Sequence, residues 1–91
     1  MTIPTDPIRI MLVEDSAEYR RVIAMAIDDQ PDMQLMRHFG TTEVALRTLA
    51  ATAASDQPDI LLLDLRLPGM GGLEAIPLIH KAAPTVKIIV L

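Results

Sequence analysis

The chain has 91 residues, and 51% of them are of the types Ala, Val, Ile, Leu, Met, Phe, Trp, Tyr and Cys, enough for one small core and too apolar for a disordered tail. Eight Lys and Arg against twelve Asp and Glu give a net charge of −4, which disfavours direct binding to a phosphate backbone. Cysteine is absent, which excludes a disulfide framework and a thiolate metal site.

The first residues lack the basic start and apolar run of a signal peptide. The apolar runs Ile10–Val13, Ile60–Leu63 and Ile88–Leu91 fall far below the ~18 residues needed to cross a bilayer. The expectation is a soluble, cytoplasmic protein with no membrane partner.

Residues 1–7 carry two prolines and are expected to form a flexible lead-in. Ile8–Val13, broken only by Arg9, suits a strand covered on both faces. Asp15 and Ser16 supply capping side chains, with Glu18 three residues after Asp15 as in a capping box. Tyr19, Val22, Ile23 and Ala26 then predict the buried stripe of a helix ending by Pro31. A second strand is expected at Met33–Phe39. Gly40 breaks it, and Thr41 or Thr42 can cap a second helix buried through Leu46, Leu49, Ala50 and Ala53. Asp59–Asp64 reads as a buried strand, and Leu67–Gly72 as a glycine-rich loop. A third helix from Gly72 to Ala82 should turn Leu73, Ile76 and Ile79 inward and bend at Pro77. Lys87–Leu91 is the fourth strand. This alternation of strands and helices predicts an α/β fold, a parallel sheet with right-handed crossovers.

In an open parallel sheet, sites form beyond the C-terminal ends of the strands. Glu14 and Asp15 follow the first strand and Asp64 follows the third. If those strands are neighbours, three carboxylates converge, which is unfavourable unless a cation neutralises them or a proton is retained. An all-oxygen set without His or Cys selects a hard ion such as Mg²⁺. A single acid at a strand end is commonly no more than a cap or turn residue. Two strand ends bearing acids weigh against that plainer reading.

Rival motifs fail on inspection. Glu14–Ala17 contains no glycine, against a dinucleotide fold, and no P-loop pattern occurs. A haloacid-dehalogenase-like phosphatase needs a second Asp where Arg66 stands. Gly69, Gly71 and Gly72 suit turn chemistry before a helix. His38 and His80 stand alone, and the methionines are core material.

Two blocks carry a resemblance: Ile10–Ser16 (Ile-Met-Leu-Val-Glu-Asp-Ser) and Asp59–Ala75 (Asp-Ile-Leu-Leu-Leu-Asp-Leu-Arg-Leu-Pro-Gly-Met-Gly-Gly-Leu-Glu-Ala). They resemble the N-terminal signature blocks of bacterial two-component response-regulator receiver domains, over residues 8–91. With Val86–Leu91 the pattern looks closest to the NarL/FixJ-type subgroup, whose receivers are joined to a LuxR-type helix-turn-helix domain. The resemblance implies a doubly wound, flavodoxin-like (CheY-like) sheet. It implies Asp64 as phosphoacceptor from a sensor histidine kinase, and Mg²⁺ held by Glu14, Asp15, Asp64 and the backbone carbonyl of Arg66. Pro68 and Gly69 would shape the loop beyond the acceptor, and Gly72 would open the third helix. Gly71 departs from the Asp frequent in the family.

The family also places a Ser or Thr after the fourth strand and a Lys on a fifth. Leu91 falls just before that hydroxyl, so residues 8–91 read as a receiver lacking its fifth strand and last helices. The expected function is a regulatory phosphoacceptor rather than a turnover enzyme, with DNA reached through an output domain outside this sequence. An exposed edge at Ile88–Val90 would favour self-association as a dimer or swapped oligomer. The alternatives are a phosphorylation-independent adaptor and an Mg²⁺-dependent phosphohydrolase.

Overall fold

The computed structural model describes residues 6–67 and 69–91. The expected lead-in lies mostly outside them, as does Pro68. The elements run β1 (Ile8–Val13), α1 (Ala17–Asp28), β2 (Met33–Phe39), α2 (Thr42–Ala50), a short 3-10 turn (Ala54–Asp56), β3 (Ile60–Leu63), α3 (Gly72–Ala82) and β4 (Lys87–Val90). All strands are parallel, in the order β2-β1-β3-β4. The chain therefore winds outward from β1 in both directions, as expected for a doubly wound sheet.

Strand periodicity sorts the core. Met11 and Val13 on β1, with Leu61 and Leu63 on β3, face Ala45 and Leu49 of α2 and Ala75 and Ile79 of α3. The alternate residues Ile10 and Leu12 face the other side of the sheet, where α1 lies with buried Ile27. Met11–Val13 are thus buried from both sides, each such side chain contributing about 1.5–3 kcal/mol. A bulge between Ile10 and Met11 skips Met36 on β2, and the Arg37 guanidinium lies 5.3 Å over the Phe39 ring. Among the described residues no helix is long and apolar enough to cross a membrane.

The helix faces correct several expectations. Ser16, not Asp15, caps α1, its hydroxyl accepting from the Tyr19 N–H, so no capping box forms with Glu18. The inward stripe of α1 is Arg20, Ile23, Ala24 and Ile27. Tyr19 and Val22, expected inside, are 62% and 58% exposed, and Ala26 is exposed too. In α2, capped by Thr41, Ala45 and Leu49 are buried and Leu46 half-buried. Ala50 ends that helix exposed, and Ala53 lies beyond it. In α3 the buried residues are Gly72, Ala75 and Ile79, while Leu73 is exposed. In α2 and α3 the physical reason is close packing: where a helix approaches a sheet or another helix tightly, small residues such as Ala45, Gly72 and Ala75 occupy the contact and larger apolar neighbours are displaced sideways. Pro77 sits on the exposed face of α3, which continues past it to Ala82.

At the N-terminal end of the sheet, the buried Gln57 side-chain amide donates to the Leu49, Thr52 and Ala82 carbonyls. It satisfies carbonyls at the ends of α2 and α3. Arg9 pairs with Asp59 at 3.7 Å and also donates to the Ser55 carbonyl.

Candidate functional site: an acidic cleft at the C-terminal ends of β1 and β3

Because β1 and β3 are neighbours, their C-terminal ends bring Glu14, Asp15 and Asp64 together. One carboxylate oxygen from each lies within 4.8 Å of the others. Glu14 and Asp64 are buried and Asp15 is exposed, so the cluster opens outward on one side. The cleft has a volume of about 260 Å³, with Ser16, Tyr19 and Arg66 completing its lining. A larger cavity of about 650 Å³ lies at the opposite end, around Arg9 and Asp59, where the ion pair leaves no unsatisfied charge cluster.

Local geometry holds each acid. The β1–β2 ladder closes with the Glu14 N–H donating to the Phe39 carbonyl at 2.9 Å. The Glu14 carboxylate accepts from the Ser16 N–H at 3.1 Å. On β3 the Asp64 N–H donates to the Val13 carbonyl at 3.1 Å, and Asp64 Oδ1 accepts from the Arg66 N–H at 2.9 Å. That leaves Oδ2 as the Asp64 oxygen without a protein donor among the described residues. Beyond it, Gly69 adopts the left-handed region at φ 76°. Gly72 lets α3 press onto the strand end: a Cβ there would stand 2.8 Å from the Leu65 Cα and 3.0 Å from the Asp64 carbonyl oxygen.

Burial pushes the Glu14 carboxyl above its ordinary value, and the neighbouring Asp15 and Asp64 carboxyls push the same way. The Ser16 N–H opposes them. No ion pair to these acids occurs among the described residues, where Arg9–Asp59 is the salt bridge present. Three converging oxygens with an open side and no nitrogen or sulfur donor fit a hard divalent cation that keeps several waters, as Mg²⁺ does. Arg66 lines the cleft, and the contact observed there is made by its N–H, not by the carbonyl expected to meet the metal. His38 and His80 are exposed and distant in sequence from every cleft-lining residue. Arg20, which sequence reasoning passed over, also belongs to this end: it donates to the Glu14 and Asp15 carbonyls.

The family model of the response regulator receiver domain matches residues 10–91. The chain belongs to that family. Among solved structures, this receiver is similar to the response regulator domain of Thermotoga maritima CheB (TM-score 0.80, 33% identity), covering 92% of this chain and 59% of that one. It is also similar to a two-component response regulator of the LuxR family from an Aurantimonas species, with TM-score 0.80, 29% identity and coverage of 93% and 58%. A curated relative is the protein-glutamate methylesterase/protein-glutamine glutaminase of group 2 operon from Rhodospirillum centenum, 36% identical over 93% of this chain. Another is the Thermotoga maritima protein-glutamate methylesterase/protein-glutamine glutaminase, 39% identical over 91% of this chain. The chain spans 21% and 23% of the length of these two relatives. The expected NarL/FixJ-type assignment and its DNA-binding output draw no support from these curated relatives, whose name is that of a methylesterase.

Proposed function

We propose that this receiver accepts a phosphoryl group on Asp64 from a histidine kinase, with Mg²⁺ held by Glu14, Asp15, Asp64 and the Arg66 carbonyl. The observation that carries the reading is the convergence of three carboxylate oxygens from two adjacent strand ends within 4.8 Å. A bound Mg²⁺ would offset the repulsion between an incoming phosphoryl group and these acids and orient the transferring oxygens.

The chain's own residues supply the rest. The Arg66 N–H holds Asp64 Oδ1, so Oδ2 is the oxygen free to attack phosphorus in line. The bond from phosphorus to the kinase imidazole nitrogen breaks as the bond to Asp64 forms. The product is an acyl phosphate on Asp64, and the imidazole regains its proton. Ser16 and the buried strand ends keep Glu14 oriented while Asp15 faces the solvent side through which a donor enters. No further residue in the cleft is an evident general base for hydrolysing an unrelated phosphoester, which disfavours the phosphohydrolase reading. Three mutually repelling acids would be costly ornament in a pure adaptor.

Phosphorylation then biases a two-state domain that drives an output. Receivers are joined to unrelated outputs, so the receiver alone does not name one. The curated relatives make a methylesterase output the first to test, ahead of the DNA-binding output implied by the sequence blocks. The test of the phosphoacceptor is intact-mass spectrometry after incubation with acetyl phosphate and Mg²⁺. One added phosphoryl group is expected, lost with EDTA and with Asp64→Ala. A gain that persists in Asp64→Ala, or no gain where a control receiver is labelled, would overturn it.

A further inference from the structure

An arginine occupies the inward stripe of α1, and its reach is backward rather than into the core. One nitrogen of the Arg20 guanidinium donates to the Glu14 carbonyl at 2.7 Å and to the Asp15 carbonyl at 3.1 Å. The same nitrogen lies 3.5 Å from where a Cβ on Gly40 would stand, so it is seated between the acidic loop and the end of β2. Charge-assisted bonds to two consecutive carbonyls fix the peptide planes on both sides of Asp15. The direction of the Asp15 side chain is set by those planes. Among the described residues Arg20 forms no ion pair with either carboxylate, so it orients the acids without neutralising them.

We infer that Arg20 is a positioning residue for the Mg²⁺ site, acting through the Glu14 and Asp15 backbone; the inference rests on the metal-site reading above. Outer supports of metal ligands commonly account for tenfold or more in metal affinity. Arginine suits the task because one planar group supplies several donors in a fixed fork, whereas methionine keeps the stem and loses them all.

Tyr19, the one tyrosine in a chain without tryptophan, lines the cleft and reports on it by emission. The experiment titrates Mg²⁺ into the parent, Arg20→Met, Arg20→Lys and the exposed neighbour Arg21→Met at 10 °C, following tyrosine emission, with circular dichroism melts alongside. Arg20→Met is expected to weaken Mg²⁺ binding about tenfold, Arg20→Lys to fall between it and the parent, and Arg21→Met to match the parent. Parent-like binding in a folded Arg20→Met would overturn the role of Arg20 alone. Should Arg20→Met not fold, Arg20→Lys decides: a lowered melting temperature with unchanged Mg²⁺ affinity would reduce Arg20 to a structural brace. No Mg²⁺ response in the parent would overturn the metal site itself and this inference with it.

Discussion

The two ends of the sheet solve opposite problems with similar residues. At the N-terminal end the groups drawn together are partnered: Arg9 meets Asp59 and the Ser55 carbonyl, and the buried Gln57 amide gathers three carbonyls. At the C-terminal end Glu14, Asp15 and Asp64 crowd together with no cationic side chain paired to them among the described residues. The first set is satisfied as folded, while the second, on the function proposed above, is satisfied by a bound cation. The difference separates residues that hold the fold from residues whose arrangement costs stability and makes sense only as a site.

The sharpest way to break this comparison is at Gly72, where packing serves the acidic end. Alanine normally favours a helix over glycine, but here its Cβ would press on the Leu65 backbone and the Asp64 carbonyl. Gly72→Ala is expected to cost about 2–3 kcal/mol. Its melting temperature should fall by roughly 10–20 °C, at about 4–8 °C per kcal/mol. A melt at or above the parent value would show that the strand end and α3 are not in tight contact.

At the satisfied end, Gln57→Leu keeps bulk and abandons the Leu49, Thr52 and Ala82 carbonyls. Urea unfolding should show a loss of about 1–2 kcal/mol, with the Mg²⁺ response unchanged. A changed Mg²⁺ response would mean the two ends are coupled. Smaller again is Thr42→Val. The Thr42 hydroxyl is buried without a partner among the described residues, so removing it should leave stability unchanged or raise it by less than about 1 kcal/mol. A clear loss in the same unfolding measurement would reveal a partner for that hydroxyl.

The strands and the three acids were legible because buried parallel strands are short unbroken apolar runs, and an acid after such a run marks its end; the order around β1 was implied by the family resemblance. Helix faces were less so. Val22 and Leu73 look like core residues by hydrophobicity, yet α1 buries Ile27 instead, and α3 makes its close approach through Gly72 and Ala75, whose small size permits it. Periodicity fixes a repeat, not which of two adjacent stripes points inward. Arg20 and Gln57 were hidden because bonds from a side chain to backbone carbonyls outside its own helical turn leave no spacing pattern. The one available signal for Arg20 was its place on the same stripe as Ile23 and Ile27.

The central claim, that the acidic end is folded at a cost relieved by a cation, is tested by melting the parent and Glu14→Gln with and without Mg²⁺ across pH. Glu14 holds its proton to higher pH in the folded state than in the unfolded chain. Its ionisation therefore opposes folding above the raised value, and metal-free stability should rise as pH falls through that value towards the ordinary one. At neutral pH, Glu14→Gln keeps an acceptor for the Ser16 N–H and removes the charge, so it should melt higher than the parent without metal. Mg²⁺ at 100 times its dissociation constant should stabilise the parent by about 2.7 kcal/mol and the variant far less. A Glu14→Gln protein that melts lower than the metal-free parent, with Mg²⁺ leaving the parent unmoved, would contradict the account.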